Sequence, residues 1–127
     1  MMSPERLIQI GGAFHLLLAL IHIAFWKFLR WETDLPKISR VNRAVMQVLN
    51  IQLTYVFFVV AALSFFFAAE MTQTGIGRTL TACVFGFWLI RIVNQIIFFP
   101  MRHWLSLLFT LLFVIGATLY GIALLEG

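Results

Sequence analysis

Apolar residues in this chain come in long unbroken runs, not in the alternation of a half-buried strand. Four runs stand out, at residues 4–29, 45–69, 76–99 and 104–125, each with few or no charges inside. A hydrocarbon core ~30 Å thick needs about 20 helical residues at 1.5 Å rise each, so every run is long enough to cross a bilayer. Their continuity argues against a membrane β-barrel, whose strands alternate with period two. The pattern predicts an all-α integral membrane protein, a four-transmembrane-helix antiparallel bundle. Residues 1–127 form a single domain in this reading, with no soluble domain attached.

Local signals place the ends. Pro4 suits the first turn of span 1, with Ser3 as its cap. The cluster Phe25, Trp26, Lys27, Phe28, Leu29, Arg30, Trp31 mixes aromatic and basic residues, as at the headgroup level. Ser39 is placed to cap a helix beginning near Arg40, residues 72–77 read as a short turn, and Pro100 separates spans 3 and 4. Gly11, Gly12, Gly86, Gly116 and Gly121 read as points of close helix contact.

Composition agrees with the pattern and adds an orientation. The chain is 62% hydrophobic and 11% charged, which excludes a soluble domain. Lys27, Arg30, Lys37, Arg40 and Arg43 oppose only Glu32 and Asp34 between spans 1 and 2, and Arg102 joins them between spans 3 and 4. The other side holds only Arg6 and Arg78, so the positive-inside bias puts the 27–43 segment in the cytoplasm and both termini outside. A cleavable signal peptide is not expected, because one Arg makes no basic leader region. The net charge of +4 is too dispersed for nucleic acid and suits anionic lipid heads or an anionic small molecule. Brevity and the lack of a targeting signal point to a bacterial inner membrane.

Antiparallel threading gathers the polar residues into one leaflet. His22, Arg43, Gln47, Asn50, Arg91, Asn94, Gln95 and His103 all fall in the cytoplasmic half. Arg43, Gln47, Asn50 and Thr54 follow i, i+4, i+7, i+11, one stripe of a helix. Such a stripe should face other helices or a wet cavity, not lipid. On span 3, Trp88, Arg91 and Gln95 share a face, with Asn94 beside it. Arg91 is the most informative, since an intramembrane cation without an acidic partner is a functional-site hypothesis by default. It must snorkel, lean on neutral polar groups, or hold an anion.

Other chemistries are poorly supported. The sequence has no Ser–His–Asp set, no glycine-rich phosphate loop and no paired carboxylates. His15 and His22 lie roughly 10 Å apart along one helix, too far to share a metal ion, so a histidine bonded to a backbone carbonyl is the simpler reading than haem. The single cysteine, Cys83, reads as small apolar packing.

Four spans, outside termini, a basic segment after span 1, Arg40-Val41-Asn42-Arg43-Ala44 and Arg91-Ile92-Val93-Asn94 together resemble the MAPEG family of eicosanoid and glutathione metabolism. The resemblance implies a trimer holding glutathione between subunits. Arg43 and Arg91 would contact the tripeptide, Gln47 would stand where the family often has Asn, and Arg102 would stabilise the thiolate as the catalytic cation. Asn50 stands where the family usually has Glu, Asn94 where His is common and Phe98 where Tyr is often found. The expected function is therefore a cationic polar pocket in the cytoplasmic half, implied by the resemblance to serve a glutathione-dependent transferase or peroxidase acting on lipophilic substrates. In that pocket Asn50, Asn94, Gln95, His22 and His103 would also bind ligand. The alternative is a non-catalytic accessory or scaffold subunit of a larger membrane complex, binding lipid or a partner helix. Anion transport by an oligomer is a weaker third.

Overall fold

A computed structural model describes residues 2–127 and is helical throughout its regular structure. The elements are α1 (Pro4–Phe28), α2 (Trp31–Asp34), a 3₁₀ turn (Leu35–Lys37), α3 (Arg40–Phe66), α4 (Ala68–Gln73), α5 (Gly75–Phe98) and α6 (Trp104–Glu126). Helices α1, α3, α5 and α6 hold 25, 27, 24 and 23 residues and are apolar enough to cross a membrane. This is the architecture of an integral membrane protein with four candidate spans.

The capping signals work as read. Ser3 Oγ accepts the Arg6 N–H at 3.2 Å, and Ser39 Oγ accepts the Asn42 N–H at 3.2 Å. The second apolar run departs from its expected bounds. Its helix starts at Arg40 and stops at Phe66, and the residues after a bend at Phe67 form the separate α4. The expected 72–77 turn shrinks to one extended residue, Thr74, whose side chain holds both flanking helices. Its hydroxyl donates to the Glu70 carbonyl at 2.7 Å and accepts from the Gly77 N–H at 3.0 Å.

The chain divides into two compact units. One comprises the N-terminal residues through Gly11 with Ser64–Gly127. Here α5 and α6 pair antiparallel: Arg78 Nη2 donates to the Leu124 carbonyl at 2.9 Å, Trp88 stacks on Phe113, and Gln95 Nε2 donates to Ser106 Oγ at 2.9 Å. Arg78 thereby serves a last-turn carbonyl of α6 that lacks an intrahelical partner. Tyr120 and Ser64 share a buried hydroxyl bond of 2.7 Å, and a Cβ at Gly11 would lie 2.5 Å from the Tyr120 ring. A Cβ at Gly121 would come within 2.8 Å of Phe85, so both glycines mark close contacts. Gly86 does not: a Cβ there meets nothing within 4 Å, and the expectation of a close contact is corrected. Cys83 is likewise exposed on α5, not packed inside.

The other unit, Gly12–Leu63, pairs the rest of α1 with α3, again antiparallel. His15 sits against Phe57, and His22 meets both Phe57 and Asn50. The segment between the two helices is folded where a loop was expected. Arg30 takes the left-handed conformation at φ 55° and turns the chain into α2. That geometry is unfavourable by ~1–2 kcal/mol for an L-residue, and burial of Trp31 and Leu35 just beyond it offsets the strain.

Candidate functional site

Folding of residues 29–39 creates a cavity of about 480 Å³ between the end of α1, α2, the 3₁₀ turn and the first turns of α3. Trp26, Trp31, Leu35, Pro36 and Ala44 form its apolar lining, and Glu32, Arg40, Arg43 and Gln47 its polar one. Arg40, Arg43 and Gln47 fall at i, i+3 and i+7 of α3, so the helix period alone puts them on one wall. That wall is also the N-terminal end of α3, whose aligned peptide dipoles add positive potential. Trp31 packs on Phe25 and Trp26 with ring centroids 6.1 and 6.3 Å away, which fixes the indole lining.

No ion pair joins Glu32 to Arg40 or Arg43 across the cavity. Among the described residues the one ion pair is Lys37–Asp34 at 3.5 Å, and it is exposed. Glu32 therefore stays unpaired with either arginine. Two cations, one carboxylate and a carboxamide stand around one space, beside two indoles. Such a set can grip an anion through forked guanidinium bonds and an ammonium through the carboxylate and the indole faces.

The structure distributes the residues expected at the site unevenly. Arg43 and Gln47 line the cavity. His22 and Asn50 bond to each other: Asn50 Nδ2 donates to the His22 carbonyl at 3.1 Å, and Asn50 Oδ1 lies 2.9 Å from His22 Nδ1. The first bond orients the amide, so Oδ1 is the atom facing the ring and Nδ1 carries the proton. This pair fastens α1 to α3. Substituting Leu for Asn50 removes both bonds and is expected to lower stability by ~1–2 kcal/mol, read as an earlier midpoint in denaturing-detergent titration.

Arg91, Asn94, Gln95, Arg102 and His103 belong to the other unit. Gln95 is buried and donates to both the hydroxyl and the carbonyl of Ser106. His103 caps α6, its Nδ1 accepting the Leu105 N–H at 3.2 Å, while its ring stacks on Trp104. Arg102 and Asn94 are exposed. Arg91 is half-buried, with its guanidinium carbon 4.3 Å from the centre of the Phe113 ring and 5.5 Å from that of Phe99. It leans on aromatic faces, an option absent from the sequence reading.

Sequence reasoning assigns no site role to Trp26, Trp31, Glu32, Leu35, Pro36, Arg40 or Ala44, all of which line the cavity. Trp26 and Trp31 read as part of an interfacial cluster, a pattern that does not reveal that they line an open cavity. Glu32 reads as a loop charge, and Arg40 as a basic residue at the start of a helix and of the run Arg40-Val41-Asn42-Arg43-Ala44. A Trp five residues after another, followed at once by an acid, was the available signal. No family model, no curated protein and no solved structure matches the chain.

Proposed function

We propose that this is a membrane-embedded binding protein for a small zwitterion carrying carboxylates or a phosphate together with an ammonium group. The observation that carries the reading is the cavity whose arginine wall and Glu32 carboxylate are not joined by an ion pair. Positive-inside bias would place it on the cytoplasmic side.

Glutathione is the first ligand to test. It bears two carboxylates and an ammonium, and Arg43 and Gln47, which the resemblance assigns to the tripeptide, both line the cavity. Glu32 supplies a carboxylate for the ammonium, a role the resemblance gives to the position of Asn50. Transfer of the thiol to a lipophilic electrophile is the activity the resemblance implies.

Trp26 and Trp31 make the reading testable without a label. Titrating detergent-solubilised protein with glutathione, and separately with glycerophosphoethanolamine, should change indole emission saturably. Replacing Arg43 by Gln removes charge-assisted bonds of ~1.5–3 kcal/mol and should weaken the response by roughly ten- to a hundredfold. Absence of any saturable change at millimolar ligand, for both compounds, would overturn the proposal.

A further inference from the structure

Arg91 carries a second inference, independent of the cavity. Its Cα lies seven residues before the end of α5 at Phe98, roughly 10 Å along the helix axis. Helical side chains lean by default toward the helix N-terminus. Arg91 instead lies over Phe113 of α6 and within 5.5 Å of the ring of Phe99, the residue that follows the last turn of α5. The charge is thus drawn toward the 99–103 turn, where exposed Arg102, His103 and Trp104 mark a headgroup level.

The two rings hold the guanidinium by attraction to their faces and leave its N–H edges available. Among the described residues no carboxylate pairs with it, and no fully buried donor lacks a partner, so those edges remain accessible. Asn94, one turn further on and exposed, adds an amide donor beside it. Around them the helix end is apolar and open, with Ile97 and Phe98 exposed at 65% and 75%.

We infer that Arg91 and Asn94 form a binding site for the phosphate of an anionic glycerophospholipid. The phosphodiester oxygens take the guanidinium fork, Asn94 donates to the same group, and the acyl chains run along the open apolar side of α5. An arginine suits this site better than a lysine because its planar fork matches two phosphate oxygens at once. Phe113 and Phe99 act as positioning residues that hold the fork on the side of α5 leading to the 99–103 turn.

The experiment uses the whole protein with phosphatidylglycerol and phosphatidylcholine as probes, read by native mass spectrometry of retained lipid. Wild type should retain phosphatidylglycerol preferentially, and Arg91→Leu should weaken retention roughly ten- to a hundredfold, the loss expected for a charge-assisted pair. Arg91→Lys, which keeps the charge and serves if the Leu variant does not fold, should bind more weakly than wild type. Wild-type retention in either variant would overturn the site, as would the lack of a phosphatidylglycerol preference in the unsubstituted protein. Complete displacement of lipid by millimolar inorganic phosphate would also overturn it, by showing a site for a soluble anion.

Discussion

Adding a single methyl group at Gly77 is expected to destabilise the protein by ~3 kcal/mol or more, combining overpacking with loss of a helix cap. A Cβ there would overlap the backbone carbonyl of Glu70 and approach the Cα of Met71. Backbone cannot swing aside as a side chain can. The Glu70 carbonyl is further held by the Thr74 N–H at 3.1 Å and by the Thr74 hydroxyl at 2.7 Å. Relief requires α4 and α5 to part, which also breaks the bond from Thr81 Oγ1 to the Met71 carbonyl. Gly86→Ala is the control, because its Cβ meets nothing within 4 Å. Exchanging Gly for Ala inside a helix should leave stability unchanged or raise it by ~0.5–1 kcal/mol. Unfolding midpoints in mixed detergent micelles would separate the two variants.

Trp88→Ala is the second large effect, expected at roughly 3 kcal/mol, near the low end for truncating a buried Trp. The low end applies because lipid removes the water-transfer part of the loss and leaves the packing part. Trp88 is 1% exposed, stacks on Phe113 at 5.5 Å and 20°, and meets Phe87 edge-on at 4.9 Å. Its removal takes away the backing of Phe113, the ring that carries Arg91. Retention of phosphatidylglycerol should therefore fall along with stability. Trp88→Phe should restore much of both, and a stability loss without a lipid effect would separate Phe113 from the arginine site.

The parts of the fold that were legible are those governed by short-range chemistry. Four uninterrupted apolar runs leave a membrane-crossing helix as the economical solution, and Ser3, Ser39 and Pro100 mark boundaries through their own hydrogen bonding or geometry. Burial also follows the expected face of α5, with Trp88 and Gln95 both turned inward. What escaped depends on residues distant in sequence. Helix α2 has four residues and is maintained by burial of Trp31 and Leu35, which no local propensity announces. Gly86 resembles Gly11 in sequence terms, yet only Gly11 lies under a tyrosine ring.

The polar residues divide in the same way. Helical spacing correctly set Arg43 and Gln47 on one stripe, but not whether each side chain is already engaged. Asn50 answers to His22 and Gln95 to Ser106, leaving both with a fastening role in this chain. Glu32 matters because the chain folds it back beside α3. Arg91 was recognisable as exceptional from its position alone, whereas its aromatic support comes from Phe113, on another helix.

The most direct test of the binding account is thermal unfolding of wild type and an Arg40→Gln, Arg43→Gln double variant in mild detergent, with and without glutathione and glycerophosphoethanolamine. A ligand that binds only the folded protein adds ~2.7 kcal/mol at a hundredfold excess over its dissociation constant. The account predicts that at least one of the two compounds raises the midpoint of wild type. The same compound should leave the double variant unmoved, with the ligand-free midpoints close together. Equal shifts in both proteins, or none in wild type at millimolar ligand, would contradict the cavity as a binding site for a zwitterion.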